Sequence, residues 1–327
     1  MMKKTLVALA AVAGTGGAMA QATMTGYIGY GYSSDTSVAN VVTSGMGIAD
    51  AGLNFGIAED LGDGMSLSGA MGITAAGNGA AVTGNDMKLA VKTASGLTVS
   101  FSGNKSGHYL GGGLAGAGAG FETGLDGKVL SARSASESAS LSMPLMEGFT
   151  LSVSHTEPTQ AGAYGTGAAS ATKQRYNTAG LGYKAGALAA DVQYRSYDMQ
   201  TSSSTTSASQ KSRASASYDL GVAKIGAGVD STNYTAGNVY SESLVGITIP
   251  VGQLTLGAQF GQMSTTGYTT NYSQTGGLVG LKYDLSKRTY LTAQYYTYTG
   301  GFTASTATST AGAQNASGAA FTIYNYF

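Results

Sequence analysis

The 327-residue chain has no cysteine and no tryptophan, only three prolines and two histidines, and just 10% of its residues are charged. Without thiols it can build no disulfide scaffold, no thiolate zinc site and no cysteine nucleophile. Charge is scarce against the roughly 25% of an ordinary globular chain, and it is balanced, with 17 basic and 17 acidic residues. That balance gives no reason to expect nucleic acid or another polyanion as a partner. His108 and His155 both fall in or beside segments read as loops, and no compact Ser/His/Asp spacing accompanies them, so catalysis is not indicated. The glycine-rich runs Gly111 to Gly120 and Gly180 to Gly186 do not join a strand to a helix, which excludes a phosphate or dinucleotide cradle, and no cofactor is expected. Beyond the N-terminus no stretch approaches the roughly 18–20 uninterrupted apolar residues of a membrane-spanning helix.

What the chain does have is glycine, 51 residues, and tyrosine, 21 residues, among many serines and threonines. It opens on Lys3 and Lys4, an apolar run from Leu6 to Ala13, and Ala18-Met19-Ala20. That is the order of a secretory signal peptide, so residues 1–20 are expected to be removed and 21–327 to form one domain. Removing Lys3 and Lys4 from the 17 basic residues leaves 15 against 17 acidic ones, a formal charge of −2.

From Gln21 onward the pattern is a two-residue alternation. Leu53, Phe55 and Ile57 stand against Asn54; Met87, Leu89 and Val91 against Lys88 and Lys92; Val192 and Tyr194 against Asp191, Gln193 and Arg195. Period two means strands with one apolar and one polar face. Sixteen such segments follow one another, the last running from Phe321 to Phe327. Their connections alternate too: long (Ser33 to Gly47), short (Glu59 to Gly64), long (Ala75 to Asn85), short (Thr93 to Gly96), then a very long one from Asn104 to Ser136. Short turns at one end and long loops at the other are the habit of a transmembrane barrel.

A sheet can cross a bilayer only if it closes, because an unpaired edge in hydrocarbon finds no water. At sixteen strands the lumen is too wide for side chains to fill and holds water. Charged residues on the polar parity agree: Lys88, Lys92, Asp191, Arg195, Arg213, Lys224, Asp230 and Lys282 would each cost several kcal/mol in a dry core. The fold class expected is therefore an all-β, antiparallel up-and-down transmembrane barrel. Its tyrosines must supply the interfacial girdle, yet none lies between Tyr32 and Tyr109, strands two to five. That face is read as covered by a second copy of the chain.

Tyr283-Asp284-Leu285-Ser286-Lys287-Arg288-Thr289, followed by Tyr290, Tyr295 and Tyr296, resembles the penultimate hairpin of the general diffusion porins of Gram-negative outer membranes. Thr23-Met24-Thr25-Gly26, Pro144 with Gly148-Phe149-Thr150, and the terminal Phe327 agree. The resemblance implies a homotrimer of sixteen-stranded barrels in the outer membrane, among lipid and lipopolysaccharide, that passes small hydrophilic solutes and ions. It also implies that Phe327 is read by the barrel-assembly machinery and that the third long loop folds inward to face basic wall residues. Asn104 to Ser136 stands where that loop belongs, without the Pro-Glu-Phe-Gly signature of enteric members, and Ser140 stands where a wall arginine is common. Glu122, Asp126, Lys128 and Arg133 are the loop charges expected at the constriction, facing Lys88, Lys92, Arg195 and Arg213, with Asp191, Lys224 and Lys282 further along the wall. So sparse a set implies weak charge selectivity. The reading it competes with is a surface adhesin built from the same Ser/Thr/Gly loops.

Overall fold

The computed structural model describes residues 21–37, 39–75, 83–105, 110, 125–131, 135–158, 175–198, 207–268, 271–303 and 308–327. Its strands are β1 (Gln21–Thr36), β2 (Val42–Gly62), β3 (Met65–Ala75), β4 (Thr83–Lys92), β5 (Thr98–Lys105), β6 (Ala135–Met146), β7 (Phe149–Pro158) and β8 (Tyr176–Ala185). They continue as β9 (Leu188–Tyr197), β10 (Ala208–Asp219), β11 (Lys224–Tyr234), β12 (Val239–Val251), β13 (Leu254–Thr266), β14 (Ser273–Asp284), β15 (Thr289–Thr303) and β16 (Thr308–Tyr326). Each pairs antiparallel with its sequence neighbours, and β16 returns to β1, so the sheet is a closed sixteen-strand barrel. The sequence-derived strand count and order are those of the fold.

Alternation produces two unlike surfaces. Val153, Val192, Val245, Phe260, Val279 and Phe321 stand exposed on the outer face, where a water-soluble protein of this size would not tolerate a continuous apolar belt. Their neighbours Ser152, Asp191, Leu244, Gln259, Leu278 and Thr322 point the other way, into the lumen. Links at one end are tight, two residues each at 63–64, 147–148, 186–187 and 252–253.

At the opposite end two expected loops are largely strand. Ser33 to Gly47 continues the β1–β2 ladder through Asp35↔Thr43 as far as Thr36↔Val42. The Ser37 hydroxyl accepts from the amides of Ala39 and Val41 and closes the turn between the strands, with Asn40 in the left-handed region at φ 58°. Likewise the last loop is the outer half of the β15–β16 hairpin, paired as far as Thr303↔Thr308. Polar and small residues hid both extensions, because above the bilayer a strand no longer needs an apolar side.

Closure is a backbone event at β1 and β16. Tyr27 pairs with Tyr326, and beyond it the Phe327 amide donates to Gly26 O (2.9 Å) while the Gly26 amide donates to Phe327 O (3.0 Å). The seam is crowded higher up: a Cβ on Gly31 would lie 2.2 Å from the carbonyl oxygen of Phe321. Gly31→Val is expected to cost about 1–3 kcal/mol in barrel stability, read as a lower urea midpoint by the fraction migrating as folded protein in an unheated gel. An unchanged midpoint would mean the two strands sit further apart than described.

Candidate functional site

Residues 125–131 lie inside the barrel against the lumenal faces of β12 to β15. The segment Leu-Asp-Gly-Lys-Val-Leu-Ser folds on itself: Leu125 O accepts from the amides of Lys128 (3.1 Å), Val129 (3.0 Å) and Leu130 (3.2 Å), and Gly127 supplies the left-handed backbone at φ 73°. Self-bonding of this kind leaves few amides to be matched by the wall. Its apolar side chains then pack on the wall. Leu125, Val129, Leu130 and Leu110 form one buried cluster with Tyr240, Leu244, Met263 and Leu278. Fully burying such a side chain is worth about 1.5–3 kcal/mol, so the segment is held mainly by apolar contact.

Two wall glycines make room for it. A Cβ on Gly276 would meet Val129 Cγ2 at 2.5 Å, and one on Gly261 would meet Leu125 Cδ1 at 3.0 Å. Polar contacts fix the register. Glu242 Oε1 accepts from the Ser131 amide (2.5 Å), the Ser131 hydroxyl (2.6 Å) and the Tyr240 hydroxyl (2.7 Å). Gln274 Nε2 donates to Lys128 O at 2.8 Å. Lys128 itself lies 4.5 Å above the Tyr296 ring, and Tyr296 in turn donates to Asp35 of β1. Burial pulls the Lys128 pKa below the ordinary lysine value, and the attraction of Asp35 and Asp126 only partly opposes it.

The neighbouring wall carries a compensated charge web. Asp230 of β11, with no exposed side-chain surface, accepts from Lys211 (2.9 Å) and from Arg213 Nη2 (3.1 Å), both on β10. Asp191 accepts from Gln193 at 2.6 Å, and Lys282 pairs with Asp284 at 2.8 Å. The Arg195 guanidinium carbon stands over the Tyr176 ring, 3.8 Å from its centroid.

Across the lumen the surface is different. In a ring of sixteen, β4 stands eight strands from β12, so β4 to β7 face the docked segment. Here Thr98, Ser100 and Ser102 of β5 pair in register with Ser142, Ser140 and Ser138 of β6, which pair with Ser152, Ser154 and Thr156 of β7. The result is a three-by-three field of hydroxyls, cross-linked by Ser100–Ser140 (2.7 Å) and Ser102–Ser138 (2.8 Å). Lys88 and Lys92 stand beside it, exposed and, among the described residues, in no ion pair.

The sequence-derived wall residues Lys88, Lys92, Asp191, Arg195, Arg213, Lys224 and Lys282 thus all face the lumen, but they do not form one group. Arg213 belongs to the Asp230 web, Lys282 sits near a turn, and Lys88 and Lys92 occupy the far wall. Of the loop residues, Asp126 is buried at the foot of the docked segment and Lys128 is partly covered; Glu122 and Arg133 lie outside the described residues, as does His108. His155 stands on the outer face, its Nδ1 2.8 Å from Asn177 Oδ1 and its Nε2 3.5 Å from Glu157, remote from any lumenal nucleophile. Sequence reasoning missed Lys211, Glu242, Tyr240 and Gln274. A signal for the docking wall existed: Leu244 beside Val245 and Leu278 beside Val279 put apolar side chains on the parity that is polar elsewhere.

A family profile described as "Gram-negative porin" matches residues 5–303. No curated protein matches the chain. Among solved structures it is similar to an anion-selective porin from Comamonas acidovorans, at 15% identity and a TM-score of 0.69 over 94% of this chain and 100% of that one. It is similar also to OmpT, an outer membrane protein of Vibrio cholerae, at 13% identity and a TM-score of 0.67 over 96% and 99% of the two chains. A porin of Rhodopseudomonas blastica, carrying three substitutions, aligns at 12% identity and a TM-score of 0.64 over 94% and 100%. At such identities these likenesses concern the fold.

Proposed function

Since the chain belongs to the Gram-negative porin family, we propose that the half-lumen between residues 125–131 and the β4–β7 wall is the path by which small hydrophilic solutes and ions cross the outer membrane. The protein is an outer-membrane channel for passive diffusion. One observation carries the finer reading: among the described residues, those of the docked segment lie against β12 to β15, while the hydroxyl field and two lysines that make no ion pair there stand on the opposite wall. Hydroxyls both donate and accept, so they exchange hydrogen bonds with a passing polar solute as water does. An apolar solute gains nothing there and loses its own cavity in lipid.

In this reading Lys128, with Glu122 and Arg133 of the same loop, edges the narrowest part and Asp126 lies buried beneath it, with Lys88 and Lys92 opposite and Arg195, Arg213, Asp191, Lys224 and Lys282 above and below. Selectivity by charge is weak, because Asp230 is already matched by Lys211 and Arg213 within the wall. No residue is assigned to catalysis. Residues 1–20 are the export signal, Phe327 with its seam position is the handle for the assembly machinery, and three copies associate through β2 to β5. The outward Phe55, Ile57, Met71, Met87 and Phe101 are exposed and apolar, and no tyrosine interrupts that face.

Liposome swelling tests the proposal. Vesicles holding the protein are expected to swell in isosmotic arabinose or glucose and far less in a trisaccharide, with single channels that conduct KCl. Vesicles that swell no faster than protein-free ones would defeat it.

A further inference from the structure

Four of the tyrosines belong neither to a lipid-facing girdle nor to the wall that holds residues 125–131. Ile28 and Ile323 are exposed on the outer face, so Tyr27 and Tyr324 beside them point into the lumen. Their register partners Tyr326 and Tyr290 share that face. The ring centroids from Tyr27 to Tyr326, from Tyr326 to Tyr290 and from Tyr290 to Tyr324 are 5.8, 5.9 and 5.1 Å apart, and the Tyr290 plane lies 25° from that of Tyr326 and 22° from that of Tyr324. Two glycines let this array lie along the wall. A Cβ on Gly29 would stand 2.3 Å from Tyr324 Cε1, and one on Gly52 would stand 2.9 Å from the Tyr27 ring, so both rings occupy the space of absent side chains. Seating over glycine accounts for Tyr324 and Tyr27, whereas Tyr290 and Tyr326 extend the array by ring contact. None of the four is buried, and Tyr326 is 43% exposed. They stand beside the tight link from Asp284 to Thr289, at the short-turn end of the barrel, which is the periplasmic one.

A continuous aromatic surface at a water-filled mouth suits a solute with one apolar face and a polar rim. A pyranose ring is such a body. Its axial C–H groups meet the negative face of an aromatic ring, while its hydroxyls stay at the edge. There the Tyr290 and Tyr326 hydroxyls, 3.3 Å apart, supply donors and acceptors. An organic cation is the other natural guest of aromatic faces, but its place is taken: Lys282 Nζ lies 4.7 Å over the Tyr290 centroid and is paired with Asp284 at 2.8 Å. We propose that Tyr27, Tyr326, Tyr290 and Tyr324 form a stacking platform for the pyranose rings of neutral sugars at the periplasmic mouth. The platform rests on the lumen being the solute path. Each ring contact is weak, so sugars gather on it and still leave. Unlike the hydroxyl field, it tells a closed sugar ring from an open-chain polyol.

Planar-bilayer recordings in KCl with added maltose or maltitol test this, each variant's block being normalised to its own KCl current. Maltitol is nearly the size of maltose and as rich in hydroxyls, but one of its two rings is opened. Maltose is expected to block the wild-type channel at a concentration roughly fivefold lower than maltitol, the worth of one more stacked ring. In Tyr290→Leu the half-blocking concentration of maltose should rise roughly fivefold, whereas Tyr290→Phe, which keeps the aromatic face, should stay within about twofold of wild type. Migration in unheated gels shows which variants are folded; should Tyr290→Leu fail to fold, the comparison of the two solutes in the wild-type channel carries the test. Equal block by maltose and maltitol would overturn the platform, and so would conducting wild-type channels that ignore maltose or a folded Tyr290→Leu that maltose blocks like wild type. Stronger block by tetramethylammonium than by maltose would overturn the assignment to sugars. A wild-type protein that makes no channels at all would instead defeat the diffusion reading on which the platform rests.

Discussion

Glu242→Ala is expected to release residues 125–131 from the wall while the barrel stays closed. The carboxylate accepts three hydrogen bonds, two of them from Ser131, so its removal leaves the Ser131 amide and hydroxyl facing apolar surface. Bonds to a charged group are worth about 1.5–3 kcal/mol each in net terms. A loss of about 2–4 kcal/mol in docking would move the docked-to-released ratio by roughly thirty- to a thousandfold. Lys128, partly covered against Tyr296 when docked, then becomes a site for trypsin, and single-channel currents become noisy as the segment moves in the lumen. Glu242→Gln keeps an acceptor oxygen and should lie between. Trypsin resistance and steady current in Glu242→Ala would show that the apolar cluster of Leu125, Val129 and Leu130 is sufficient alone.

Asp230→Asn is expected to have the other large effect, on stability and on ion preference together. Lys211 and Arg213 both converge on Asp230, whose side chain has no exposed surface. Removing one partner from a buried ionic group typically costs about 3–5 kcal/mol, because charge is left without compensation. Lumenal water can reach Lys211, which places the expected loss of unfolding free energy near the lower end, read in urea. The two freed cations also raise the potential along the β9–β10 wall. The reversal potential in a KCl gradient should therefore shift toward chloride. An unshifted reversal potential would mean that this web does not border the ion path.

The barrel was legible in the sequence because its cause is periodic. Alternations such as Leu151-Ser152-Val153-Ser154 fix which side of each strand meets lipid, and closure follows from the impossibility of an open edge there. The ends of strands were less legible: Asp35↔Thr43 and Phe302↔Ser309 are paired by backbone alone, above the depth at which side chains must alternate. The lumenal charges could be assigned to the inner face but not to their partners. Lys211 and Asp230 are nineteen residues apart, and only the β10–β11 register brings them to 2.9 Å. The side on which the loop docks was missed for a different reason. The loop's charges were expected to face wall cations across the pore, and nothing was read of what holds it, whereas Leu125, Val129 and Leu130 seek the apolar patch of Leu244, Met263 and Leu278, and Gly261 and Gly276 leave the space. Ser140, read against the family pattern as a missing arginine, proves to be the centre of a hydroxyl field.

The central claim is that a loop segment sits inside an aqueous barrel, on one wall, without closing it. A chain with no cysteine allows the most direct test, the pair Val129→Cys with Gly276→Cys, whose positions nearly touch across the loop and β14. Mild oxidation should join the two in nearly all folded molecules, and the joined protein should still conduct in planar bilayers. No bond between them in a folded barrel, or a bond that abolishes current, would contradict it.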